Sequence, residues 1–308
     1  PTKPRSNRAV YVAFVFPALA GLMYGYDIGA ASPSVVSFGT RYPTTTDIMS
    51  NSNADNITVS ALGAVQTSML TSASLFGAVP TSLSIFWIGE PMGRRREVIL
   101  ASMLYCLGSL MSILAFGSSS SALGIAVIGR IIYGAGIAFA MHAAPAYIAE
   151  MAPPDLRGTL ISLKEAFIVF GMVLAYSVAA LAEGILPDDG AEAFRIIWAV
   201  PILVSFVAGW GMYQLPPSPR WLVSRGRKEE AMTALRTFRT DAELPCLRWF
   251  ASSTKPHALN AAEIEAEVND MVVSLMAAKR TAVRAERAHT RSHAPSFLPR
   301  SLSYAPPY

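Results

Sequence analysis

Cysteine is nearly missing from this chain: only two of its 308 residues are cysteine. Cys106 sits in an apolar run and Cys246 in a polar stretch, which leaves no disulfide framework to hold a fold together. Histidine is almost as scarce, with four copies; His257, His289 and His293 lie far along the chain from His142. No cluster of His, Cys and carboxylate has metal-ligand spacing, so neither a metal nor a cofactor is expected. Charge is thin too. Asp, Glu, Lys and Arg make up 15% of the chain, against about 25% in soluble domains. No secretory signal is expected, because the first apolar run is long enough to span a membrane and has no cleavage site. The chain opens on Pro1 rather than Met, so its true start is expected upstream.

What is abundant is apolar: 52% of the residues are hydrophobic, and that excess points to lipid. A helix needs roughly 20 apolar residues to cross the hydrocarbon core. Six runs qualify, at 10–31, 59–88, 97–116, 122–148, 160–182 and 196–215. The second is the least regular, being rich in Ser and Thr and interrupted by Pro80. Neighbouring helices can satisfy the carbonyl that such a proline frees.

The net charge of +4 is modest, and the basic residues gather between apolar runs. That pattern orients a membrane protein and does not speak for nucleic-acid binding. Lys3, Arg5 and Arg8 precede the first run, Arg94 to Arg96 follow the second, Arg157 follows the fourth, and Arg220, Arg225, Arg227 and Lys228 follow the sixth. The alternate loops are poor in base. One topology fits every loop: both ends cytoplasmic and six crossings between them. Asn56-Ile57-Thr58 then forms a glycosylation sequon on the far side.

The expected organisation is a cytoplasmic segment at 1–9, a six-helix transmembrane domain at 10–215, a cytoplasmic helical segment at 216–291 and a disordered tail at 292–308. Within the third part, 229–238 and 261–276 read as amphipathic helices, the latter with Ile264, Val268, Met271 and Leu275 on one face. Residues 279–291 are basic, and the tail is rich in Pro and Ser. The fold class is all-α, multi-pass and membrane-embedded.

Few residues inside the apolar runs can do chemistry. Asp27, in Gly25-Tyr26-Asp27, is a charge within the first run, and such groups by default face a cavity or a partner. The plainer alternative puts it at the helix end near the interface. Arg130, in Gly129-Arg130, is its natural partner, unless it snorkels. A carboxylate beside a guanidinium keeps its charge, and a lone one in low dielectric favours the protonated form. A movement separating the two would therefore make Asp27 take up a proton. Glu165 lies roughly 10 Å along the fifth helix from Gly158, at 1.5 Å per residue, which places it inside the membrane; adjacent Lys164 is expected to snorkel near the helix end. Arg94, Glu150, Arg157 and Arg220 can form a cytoplasmic charge network acting as a latch, or a plain solvated belt.

Gly25-Tyr26-Asp27, Gly93-Arg94-Arg95, Gly129-Arg130 with Gly134, Pro145-Ala146-Tyr147-Ile148-Ala149-Glu150, Arg157-Gly158 and Pro217-Ser218-Pro219-Arg220-Trp221-Leu222 occur in this order. In order and spacing they resemble the sugar porters of the major facilitator superfamily, over roughly residues 11–239. The runs Met141-His142-Ala143-Ala144-Pro145 and Ser162-Leu163-Lys164-Glu165 look most like plant-type D-xylose–proton symporter-like and vacuolar glucose transporters.

The resemblance implies two six-helix halves that rock around a sugar bound near the midplane. This chain would be the N-terminal half, with a C-terminal six-helix half missing. The resemblance makes Asp27 the proton acceptor and Arg130 its partner. Tyr24, Glu165 and Met172 would lie by the sugar, Glu165 and Met172 standing where the family often has glutamine. An ionised glutamate only accepts hydrogen bonds, so specificity would differ. Pro217 stands where the family has Glu, a departure within the latch motif.

The expected function is transmembrane transport of a hexose or pentose by proton-coupled symport. Its partners would be a monosaccharide, protons and the lipid bilayer, with no nucleic acid. Plasma membrane, vacuolar membrane and plastid envelope fit alike. The alternative is a non-transporting half-transporter with a binding or regulatory role. An enzyme using Asp27 and Glu165 as an acid–base pair is not expected, since nothing supplies a nucleophile, metal or cofactor.

Overall fold

The computed structural model describes residues 8–50, 56–152, 156–186, 192–239 and 261–292. Among the described residues six long helices are apolar enough to cross a membrane: α1 (Arg8–Arg41), α2 (Ala64–Met92), α3 (Arg94–Ile113), α4 (Ser119–Met151), α5 (Arg157–Ile185) and α6 (Ala193–Gln214). Three more follow, α7 (Pro219–Ser224), α8 (Lys228–Arg239) and α9 (Ala261–Ser292). The tail expected from 292 lies, past Ser292, outside the described residues, as do residues 1–7.

The membrane helices overrun their apolar cores. α1 has 34 residues, about 50 Å at 1.5 Å per residue, so it outreaches a hydrocarbon core of about 30 Å. The addition to the helical plan is a hairpin of β1 (Thr45–Ser50) and β2 (Asn56–Ala61), antiparallel with Thr45 opposite Ala61. The β-branched run Ile57-Thr58-Val59 explains why the expected start of the second span, at 59, is strand. α2 starts beyond it, after Gly63, whose N–H donates to Thr44 Oγ1 at 2.8 Å.

Small residues set how closely the helices approach. A Cβ on Gly25 of α1 would stand 1.9 Å from the Ile168 carbonyl oxygen of α5, and one on Gly134 of α4 would stand 1.8 Å from that of Ser74 in α2. Two backbone seams result, α1 on α5 and α2 on α4, of the kind that van der Waals packing favours in lipid. Tyrosines tie the seams together. Tyr26 donates to the Ile197 carbonyl at 2.7 Å and Tyr133 to that of Met23 at 3.0 Å. The N-terminus of α6 is capped from α1: the Phe194 N–H donates to Ser37 Oγ at 2.9 Å.

The outer faces are apolar. Phe86 and Trp87 of α2 are each 79% exposed, and Val169, Val173 and Tyr176 form an uncovered stripe on α5. In water such surface would be costly; lipid or partner helices are the cover it calls for. Beyond the bundle, Ile264 and Val268 of α9 bury against Leu235 of α8, the apolar face anticipated for 261–276.

Candidate functional site

A buried ion pair lies beside the α2–α4 seam. The Asp27 side chain, from α1, is 7% exposed, and that of Arg130, from α4, 3%; Asp27 Oδ1 and Arg130 Nη1 lie 3.1 Å apart. Ser74 donates its hydroxyl to Asp27 Oδ2 at 3.0 Å. Arg130 Nη2 donates to the Thr71 carbonyl and to Ser74 Oγ, both at 3.4 Å. The indole of Trp198, from α6, covers the guanidinium, with Arg130 Cζ 4.8 Å from the ring centroid. Trp198 in turn packs edge-on against Tyr133 at 5.8 Å. Four helices thus enclose one ion pair. The glycine at 134 makes this possible, since it lets Ser74 come within reach of Asp27.

The other expected sugar-side residues come from α1 and α5. Gly21 sits level with Lys164, Gly25 with Ile168 and Gly29 with Met172. Tyr24 and Met172 are half-buried, and Glu165 is 60% exposed. No hydrogen bond or ion pair joins Tyr24, Glu165 and Met172 among the described residues. The snorkelling expectation for Lys164 does not hold. Its side chain is 3% exposed, wedged against Gly21, and its Nζ meets Glu165 Oε1 at 2.7 Å. A long flexible stem lets a buried lysine reach its neighbour, although adjacent helical positions point apart.

At the end of the bundle next to α7, half of the expected network assembles. Arg94 lies 3.2 Å from Glu97 and 3.8 Å from Glu150, and Ser218 donates its hydroxyl to Glu150. Arg157 and Arg220 are exposed and outside this cluster, without an ion pair among the described residues. Two members were not foreseen: Glu97, whose side chain has 0% exposure, and His142, whose Nδ1 is 2.8 Å from Glu97 Oε2. Arg95 donates to the Met212 carbonyl at 3.1 Å and to that of Tyr213, fastening the α2–α3 turn to the end of α6. At the opposite end Glu192 bridges Arg41 at 2.7 Å and Arg195 at 2.5 Å, which joins α1 to α6.

Residues 13–274 match the family described as sugar (and other) transporter. D-xylose-proton symporter-like 3, chloroplastic, of Arabidopsis thaliana is 40% identical over 240 residues, which are 75% of this chain and 39% of that protein. The glucose transporter GlcP of Staphylococcus epidermidis is 32% identical over 234 residues, 76% of this chain and 46% of that one. Among solved structures, the proton:xylose symporter XylE of the major facilitator superfamily, bound to 6-bromo-6-deoxy-D-glucose, aligns with a TM-score of 0.73 and 24% identity. The alignment covers 91% of this chain and 56% of that one, and at that identity it speaks for the fold. The chain spans about two-fifths of the length of the plant relative. These relatives are named as transporters, not as enzymes.

Proposed function

This chain belongs to the sugar transporter family and is an integral multi-pass membrane protein, and from that premise we propose that it is the N-terminal half of a proton-coupled sugar symporter. Residues 10–215 form its membrane domain, with residues 1–9 and 216–291 on the cytoplasmic side. The substrate is a monosaccharide, a hexose or a pentose, held between this half and a second six-helix half. The plant relatives' names, which pair D-xylose with protons, support that choice.

The observation that carries the coupling is the buried Asp27–Arg130 pair. A carboxylate beside a guanidinium keeps its charge, and one left alone in low dielectric favours the protonated form. α1 and α4 need only shift enough to part the two groups for a proton to bind. The Ser74 hydroxyl and the Trp198 face hold Asp27 and Arg130 in place until then. Tyr24, Glu165 and Met172 contribute the sugar-facing wall of this half. Arg94 and Glu150 form the cytoplasmic latch in this conformation, and Arg157 and Arg220 join it when the halves close.

The test is to read the source transcript past the codon for Tyr308 and express the full product in proteoliposomes. Uphill xylose or glucose uptake driven by a pH gradient, abolished by a protonophore, supports the reading. A full product with no sugar uptake under any gradient sinks it and favours a non-transporting half.

A further inference from the structure

We propose that the chain carries a second proton-binding site, at the end of the bundle next to α7: the His142 imidazole held against the buried Glu97 carboxylate. The argument is a charge count. Glu97 is wholly buried, and a desolvated carboxylate needs counter-charge. One guanidinium serves two carboxylates there, with Arg94 3.2 Å from Glu97 and 3.8 Å from Glu150. With His142 neutral the cluster is left with one surplus negative charge. With His142 protonated the four groups sum to zero.

The geometry fits the exchange. Nδ1 is 2.8 Å from Glu97 Oε2, so its N–H donates to the carboxylate and Nε2 is left to gain or lose the proton. The ring is 39% exposed. It lines a cavity of about 530 Å³ between α2 and α4, shared with Ser82, Phe86, Arg94 and Met141. The step moves one proton from bulk solvent to Nε2, turning imidazole into imidazolium, and nothing else changes hands. From α2 the ring meets Gly89, whose Cβ would stand 3.3 Å from His142 Cε1, and Ser82 in the cavity wall; the side chain of Glu90, next in α2, is outside the described residues. From α3 it faces Glu97 and Arg94. Glu150 lies two turns on along α4, held by Ser218 of the α7 cap. His142 is twelve residues from Arg130, about 18 Å along the helix, and among the described residues it shares no partner with Asp27. An imidazole is the side chain whose charge ordinarily changes between about pH 5 and 8. The protonated form, which ties α4 to α3, is present at the acid end of that range and is lost as pH rises.

The test is nuclear magnetic resonance of ¹⁵N-histidine-labelled chain in lipid nanodiscs, with the His142 ring signals identified by their loss in His142→Gln. On titration from pH 5 to 8.5, the wild-type ring is expected to pass from imidazolium to neutral. In Glu97→Gln the change is expected at lower pH than in wild type, because the surplus negative charge has gone. Should Glu97→Gln fail to fold, Arg94→Gln adds a second surplus negative charge, and the ring then stays protonated to higher pH than in wild type. A wild-type ring neutral throughout, or one whose titration is unmoved in both variants, overturns the proposal. No transport is read, so failure of the symport reading leaves this result standing.

Discussion

The Asp27 carboxylate and the Arg130 guanidinium face each other at 3.1 Å with almost no exposed surface, each the other's only buried counter-charge among the described residues. Removing one member of such a pair leaves the other charged and unpaired, at a cost of about 3–5 kcal/mol, whereas replacing both with neutral groups is often tolerated. Arg130→Met is therefore expected to lower the thermal unfolding midpoint of the purified chain by several degrees. Asp27→Asn combined with Arg130→Met is expected to regain most of the loss. Part of the deficit persists in the double variant, because the cation over the Trp198 ring is gone too. A double variant less stable than Arg130→Met alone would show that charge pairing is not what the site contributes.

Asp27→Asn on its own separates coupling from substrate handling. An amide cannot take up a proton in this range, yet it keeps the size of the carboxylate and can still accept from Ser74. In the full-length protein, uphill sugar accumulation is expected to fall by at least an order of magnitude. Counterflow between equal proton concentrations is expected to continue. Loss of counterflow together with accumulation would place Asp27 in sugar binding instead.

The two ends of that ion pair were legible from sequence because a charge in an apolar run has few innocent explanations. Ser74 was not, since it is one hydroxyl in a helix already rich in Ser and Thr, and only the close approach at Gly134 gives it a carboxylate to meet. Glu97 was hidden for another reason: it is the first residue of the expected third run, directly after Arg94, Arg95 and Arg96, where a helix-end charge draws no notice. The turn at Gly93 instead starts α3 at Arg94, so Glu97 falls one turn inside and is buried under His142. The hairpin at 45–61 was not foreseen: residues 40–58 read as the loop between the first two runs, and only Val59 to Ala61 as the start of the second. Lys164 was misplaced because sequence spacing fixes the direction of a Cβ, not the reach of the four carbons beyond it.

Gly134 tests the seam that brings Ser74 to Asp27. A methyl group there meets a backbone oxygen at 1.8 Å, an atom that cannot rotate away, so α2 must move off α4. Overpacking of this kind costs about 1–3 kcal/mol. Gly134→Ala is expected to lower the unfolding midpoint clearly. Gly124→Ala, in the same helix with nothing within 4 Å of the new Cβ, is expected to leave it unchanged or raise it slightly, through better helix propensity. Equal effects of the two would mean that the seam does not set the stability.

Gly93 separates backbone strain from side-chain contact. It ends α2 and begins α3 with φ 84° and ψ 145°, a conformation that glycine adopts freely and other residues only at about 1–3 kcal/mol. The space above it is filled as well, because a Cβ would stand 2.8 Å from Trp221 Cε2 of α7. Gly93→Ala thus meets two obstacles, and Trp221→Ala removes only one of them. Comparing Gly93→Ala in the wild-type and Trp221→Ala backgrounds apportions the loss. In the wild-type background the unfolding midpoint is expected to drop by the strain and the clash together. In the Trp221→Ala background it is expected to drop by the strain alone, smaller but not zero. A loss that vanishes once the indole is gone would mean that the turn relaxes to negative φ, and that the indole above it, not the turn itself, is what requires glycine at 93.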